Sequence, residues 1–175
     1  MKKKSNKIGI LGGTFDPPHI GHLHISKLAL KRLELNSLIW VVTTKNPLKA
    51  KPYLSKNIRI KLSKDMVKNQ KKISVKFFDN VVKSKDTFDL LNYLKKINKK
   101  SKLFLLIGAD NLINFHKWKK WKKVPGLAKI VVFARPNYVT RAFNSVASKK
   151  LKKRDWIYIP EKKMNISSSL IRKFW

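Results

Sequence analysis

The chain has no cysteine. That excludes a disulfide scaffold, a thiolate-ligated zinc site and a thiol nucleophile. Acidic residues are scarce: nine Asp and Glu stand against 42 Lys and Arg, a formal net charge of +33 over 175 residues. With so few carboxylates, no pair stands out for general acid–base work. Long apolar runs are missing too. After the basic start Met1–Lys4, the apolar stretch is only Ile8–Leu11 before Asp16-Pro17-Pro18 intervenes. That is too short for the core of a secretion signal, and no other run approaches a membrane span. The expected setting is the cytoplasm, with no membrane partner. Six glycines occur, spaced neither as GxxxxGK[ST] nor as GxGxxG. A P-loop NTPase is thereby excluded, and dinucleotide redox chemistry is not indicated.

What is present is enough for a core. Apolar residues make up 43%, and the length predicts one domain over residues 1–175. The positive charge consists of 36 lysines and six arginines, spread from Lys2 to Lys173 without forming a stripe. Nucleic-acid binders cluster their charge and favour Arg for bidentate contacts. Aromatic RNP-type motifs are also absent. The charge therefore reads as a solvated Lys-rich surface, with no specific nucleic-acid partner expected, that attracts anions, small polyphosphates among them.

Short apolar runs alternate with amphipathic stretches. Strands are predicted at Ile8–Leu11, Leu38–Thr43, Ile73–Phe78, Leu103–Ile107, Ile130–Ala134 and Trp156–Ile159. Helices are predicted at Gly21–Leu33, Ile58–Asn69, Thr87–Ile97 and Ser167–Phe174. Strand–helix alternation implies parallel pairing through right-handed crossovers, and continuous apolar strands imply a sheet covered on both faces. The expected fold is α/β: a doubly wound, Rossmann-like parallel sheet of five to six strands with helices on both faces. Ligands in such folds bind beyond the carboxyl ends of the strands.

The loop after the first strand reads GGTFDPPHIGH, Gly12 to His22. Gly12 and Gly13 are expected to turn the backbone tightly and to let it approach a ligand. His19 and His22, three apart, fall on one face at the start of a helix, whose N–H groups and positive dipole end favour phosphate. A metal site built from His19, His22 and His24 would have only Asp16 as a nearby carboxylate, and none is expected. Near the other end stands NISSSLIR, where Ser167 fits a helix N-cap with Ser168 and Ser169 in the first turn and Arg172 one turn on. Taken alone, that segment is equally a plain capped helix.

GGTFDPPHIGH resembles the (H/T)xGH signature of adenylyltransferases in the nucleotidyltransferase superfamily. The long form resembles that of bacterial nicotinate-mononucleotide adenylyltransferases in particular, and NISSSLIR is similar to their second signature, ISSTxIR. The resemblance runs over essentially the whole chain. It implies transfer of AMP from ATP to nicotinate mononucleotide, with Mg²⁺ accompanying ATP. By the same resemblance Gly12, Gly13, Thr14, Phe15, His19, His22, Gly108, Asp110, Arg135, Ile166, Ser167, Ser168, Ser169 and Arg172 bind ATP. His19, His22 and Arg172 are its catalytic set. Asn46 and Lys49 in TTKNPLK, Thr87 after Lys85-Asp86, and Trp118 in IGADNLINFHKWKKW are the implied acceptor contacts. Thr87 is also readable as an ordinary helix cap, and Trp118 and Trp121 as core residues. Where the family often has Tyr after this Trp, the chain has Lys119. Phosphopantetheine adenylyltransferase, with the same fold and a similar serine motif, is the alternative.

Overall fold

The apolar runs become six parallel strands: β1 (Lys7–Gly13), β2 (Ser37–Val42), β3 (Ile73–Lys76), β4 (Lys102–Gly108), β5 (Lys129–Phe133) and β6 (Trp156–Ile159). Their order is β3-β2-β1-β4-β5-β6, with every neighbouring pair parallel. The computed structural model describes residues 5–46, 50–160 and 168–173.

Successive strand residues point to opposite faces, and each face is buried. On β4 and β5, Leu103, Leu105, Ile107, Ile130 and Val132 enter one core cluster. Leu106, Val131 and Phe133 enter the other. The first cluster is closed by Leu90, Leu91 and Leu94 of α4 (Thr87–Ile97), which follows the short α3 (Asp79–Val82), with α5 (Ala109–Asn114), α6 (Val139–Phe143) and α7 (Val146–Lys150) contributing Leu112, Ala142 and Ala147. The second cluster is covered by Ala29 of α1 (Ile20–Arg32) and Val67 of α2 (Lys56–Val67). Helices on both faces of one six-stranded sheet match the expected doubly wound fold. No helix among the described residues is long and apolar enough to cross a membrane.

Two local expectations change. Gly12 and Gly13 are not a turn: they extend β1 and stand opposite Val41 and Val42 of β2. No described glycine has positive φ; the left-handed residue of this loop is Phe15, at φ 50°. Its ring is 2% exposed and stacks on Trp40 at 5.0 Å, so burial outweighs the backbone preference. Thr87 is not a cap: Asp86 holds that position and Thr87 is the first residue of α4. The closing helix is described as α8 (Ser168–Arg172), and its expected cap, Ser167, lies outside the described residues.

Candidate active site

In this strand order β1 and β4 lie side by side although their connections run to opposite edges. The chain parts there and leaves a crevice beyond the strand ends. A cleft of about 420 Å³ occupies that position, a size suited to a small-molecule ligand. It gathers Gly12, Gly13, Thr14, Phe15, His19 and His22 from the first loop, and Gly108, Asp110 and Arg135 from beyond β4 and β5. Ser168, Ser169 and Arg172 of α8 line it as well, and so do Asn46, Thr87 and Trp118. Lys49, Ile166 and Ser167 lie outside the described residues. Trp121, the other tryptophan of its segment, packs on the core without lining the cleft.

The two histidines form a close, tilted pair at the start of α1, their ring planes 38° apart. Their ring centroids are 3.8 Å apart. The backbone N–H of His19 donates to Nδ1 of His22 at 3.2 Å. In a neutral His22 ring the proton therefore sits on Nε2, which makes that nitrogen the donor. The ring is held from below: Phe15 lies 4.8 Å from it and Trp40 presents an edge at 5.9 Å. Ser26 joins the support, donating to the His22 carbonyl at 2.7 Å and accepting from the Trp40 indole at 2.8 Å. Gly12 has nothing within 4 Å of where a Cβ would stand, so the strand end presents bare backbone to the cleft.

His19 is neutral. Burial, followed by the nearby Arg135 charge, lowers its pKa to about 4. His19 thus acts as a neutral hydrogen-bonding group rather than as a cation. We expect an NMR titration to place the His19 midpoint near 4, and Arg135→Ala to raise it; a midpoint at the ordinary value of about 6.5 would contradict this burial. The unfolded chain binds the His19 proton more readily, so this residue's contribution to stability is complete above about 6.5 and is lost as the pH falls toward 4.

Residues that the sequence reading passed over hold the loops in place. Arg59 of α2 is 2% exposed. Its guanidinium donates to the carbonyls of Thr14, Thr43 (2.8 Å), Thr44 (3.2 Å) and Leu54 (3.1 Å). It therefore joins the loops that follow β1 and β2. Burial lowers its pKa, and Asp16 and Asp79 oppose that shift. Asp16, 4% exposed, accepts from the Tyr53 and Leu54 amides at 2.8 and 2.9 Å and pairs with Arg172 at 3.5 Å. The Asp16–Pro17 peptide is cis. Arg172 also donates to the Asp16 carbonyl and reaches Ser169 at 3.3 Å, while Ser168 donates to the Pro17 carbonyl at 2.8 Å. The α8 side chains expected to hold an anion are thus engaged with the first loop. Asp110 pairs with Arg135 at 2.7 Å, and a side chain at Gly108 would run into the Asp110 carboxylate.

One sequence signal marks several of these residues. Four of the nine acidic residues, Asp16, Asp79, Asp86 and Asp110, line this one cleft. Each holds a neighbour; Asp79, for example, accepts from the Thr44 amide at 2.8 Å. In so basic a chain, a carboxylate placed after a strand carries information.

On the far side of the cleft, Trp118 packs against the buried Phe115 at 4.9 Å. Lys119 turns to α4, reaching Asp89 at 2.9 Å and Asp86 at 3.4 Å. Among the described residues, no group of three or more His, Cys, Asp or Glu could hold a metal ion.

An imidazole pair at a helix start beyond the switch point of a 3-2-1-4-5-6 parallel sheet makes a site suited to phosphate, and the matches to known proteins make it that of a nucleotidyltransferase. Residues 10–174 match the cytidylyltransferase-like family, to which the chain belongs, together with relatives named for nicotinate-nucleotide adenylyl transfer. It is 46% identical over 173 residues to a "Probable nicotinate-nucleotide adenylyltransferase" of Pelagibacter ubique, covering 99% of this chain and 96% of that one. A protein of Bradyrhizobium sp. (strain ORS 278) with the same name is 32% identical, with 95% of each covered. The fold is similar to that of the Plasmodium falciparum nicotinic acid mononucleotide adenylyltransferase complexed with NaAD. That likeness has a TM-score of 0.77 at 19% identity, covering 97% of this chain and 83% of that one.

Proposed function

We propose that this chain, read as a single nucleotidyltransferase domain over residues 1–175, transfers AMP from ATP to nicotinate mononucleotide, giving deamido-NAD and pyrophosphate. The observation that carries the reading is the His19–His22 pair, braced at the N-terminus of α1 and facing the bare strand end at Gly12. The relatives' names supply the acceptor. The cytoplasmic setting expected from the sequence accords with this reaction.

The acceptor's phosphate oxygen attacks the α-phosphorus of ATP in line. A bond forms between that oxygen and the phosphorus, and the bond from the α-phosphorus to the α–β bridging oxygen breaks. Pyrophosphate leaves with the electron pair. A phosphate monoester is already anionic near neutral pH, so no base is required, in keeping with a cleft whose carboxylates are occupied in holding loops. Catalysis then rests on positioning and on stabilising the charge that develops. The Nε2–H of His22, with His19, donates to the triphosphate. Gly12 and Gly13 offer backbone, Thr14 its hydroxyl, and Phe15 a floor beneath the imidazole. Gly108 and Asp110 border the nucleoside, and Arg135 lies where it can meet adenine or phosphate. Ser168, Ser169 and Arg172 close over the β- and γ-phosphates, Arg172 exchanging its Asp16 contacts for them. Ser167 and Ile166 belong to the same segment. Asn46, Thr87 and Trp118 form the acceptor side, where the indole offers a flat face to the pyridine ring, and Lys49 is assigned to the same substrate from the sequence. Magnesium comes with ATP as part of the substrate and would be held by phosphate oxygens and water, because Asp16 and Asp110 are already paired.

The test is pyrophosphate release from ATP and Mg²⁺ with nicotinate mononucleotide, nicotinamide mononucleotide and phosphopantetheine offered separately. Release with the first is expected. Release with phosphopantetheine alone would move the protein to coenzyme A synthesis and overturn the acceptor role of Trp118.

A further inference from the structure

The strongest feature outside the phosphate machinery is a small network joining two separate walls of the cleft. One wall is the first turn of α4 with the residues before it; the other is the segment that follows Trp118. Lys119 spans them, its ammonium 2.9 Å from Asp89 and 3.4 Å from Asp86. Ser84 completes the network, donating to Asp89 at 2.7 Å and accepting from the Asp86 amide at 3.1 Å. The next residue adds a second grip: the Lys120 ammonium lies 5.1 Å from the centre of the Phe88 ring, a cation–π contact. Lys120 takes the left-handed conformation, φ 50°, and so turns the chain directly after Lys119.

The consequence concerns what lies beside the network. Thr87 follows Asp86 directly and Trp118 precedes Lys119 directly, and both line the cleft. Lys119 borders the same cleft, but its ammonium is turned to the two carboxylates, so the bridge ties together the segments that carry Thr87 and Trp118. We propose that Lys119 is a positioning residue, a latch whose bridge to Asp86 and Asp89 holds Trp118 and Thr87 at the spacing the acceptor requires. This rests on the acceptor side assigned under the proposed function. The lysine is half exposed, and an isolated surface ion pair would contribute little. Here one ammonium meets two carboxylates that a serine orients, and a network of that kind holds geometry better than a lone pair. The hydrogen bond from Lys119, and then that from Ser84, hold the Asp89 carboxyl below its usual range, consistent with a formed bridge.

The test compares wild type, Lys119→Ala, Lys119→Arg and Asp89→Asn by steady-state kinetics in both substrates, with hydrogen exchange of the amides at 86–90 and 117–120. Lys119→Ala and Asp89→Asn are expected to raise KM for nicotinate mononucleotide about five- to tenfold, which corresponds to about 1–1.4 kcal/mol, and to leave KM for ATP within about twofold. Amide exchange should quicken in both segments together, with the melting temperature nearly unchanged, and Lys119→Arg should restore the acceptor KM. An unchanged acceptor KM in an active Lys119→Ala protein overturns the latch alone, as does an equal rise in both KM values. A wild type that releases no pyrophosphate with this acceptor overturns the functional reading and the latch with it.

Discussion

Replacing His22 by alanine is expected to lower kcat by about 10²–10³-fold, the usual cost of removing one preorganised donor to developing charge. KM for ATP should change far less, since a donor that works chiefly in the transition state affects kcat more than ground-state binding. The stability cost should be small. The ring is only partly buried and its removal takes contacts from Phe15, Trp40 and His19. About 1 kcal/mol of lost packing in a chain of this size lowers Tm by about 2–4 °C. His22→Gln is the informative control. Its side-chain amide nitrogen reaches roughly the place of Nε2 and should recover part of the loss. Activity and stability falling together in His22→Ala would make the residue a packing element and would remove its assigned role. The two measurements are turnover under saturating substrates and a thermal melt of the same preparation.

Arg59→Met is expected to act the other way round, through stability first. Methionine fills a similar slender space but donates nothing. Carbonyls of Thr14, Thr43, Thr44 and Leu54 lose the partner they share. A buried polar group left unpaired costs about 1–3 kcal/mol, and partial entry of water should limit the sum to about 3–5 kcal/mol. The melting temperature should therefore fall on the order of 10 °C. Activity measured well below the new melting temperature should also drop, because the loops after β1 and β2 carry opposite sides of the cleft and Arg59 sets their separation. Lysine cannot substitute, since one ammonium cannot reproduce a planar fork of donors. A variant with methionine here that melted and turned over like the wild type would show that water or neighbouring groups satisfy these carbonyls unaided.

The sheet was legible in the sequence because its strands are continuous apolar runs of the right length, and Leu90, Leu91 and Leu94 stated the period of α4 openly. The short helices α5, α6 and α7 were not, since five or six residues give no full amphipathic cycle. Gly12 and Gly13 misled for a physical reason. Glycine signals a turn when its backbone freedom is used, and here only its small size is used, at the end of a paired strand. The turn falls instead on Phe15, where no propensity rule would put positive φ, because the buried ring fixes the backbone from inside. The histidine pair could be located by spacing and helix position, but the neutral state of His19 could not: burial and the Arg135 charge are tertiary facts. Arg59 stayed hidden among 42 basic residues because nothing local distinguishes a buried arginine from a solvated one.

The buried carboxylate of Asp16 has a consequence in time as well as in space. Its partners are Tyr53 and Leu54, 37 and 38 residues ahead, and Arg172, whose guanidinium also meets the Asp16 carbonyl across 156 residues of chain. A chain emerging from the ribosome can pair β1 with β2, and β2 with β3, early, since those strands follow one another in sequence. Both the sheet's central β1–β4 pairing and the Asp16–Arg172 tie must wait for later segments to arrive. A growing chain therefore displays the first loop and its two histidines long before the groups that close over a bound nucleotide exist. Competence for the reaction arrives only once α8 has been made and docks on the loop made first.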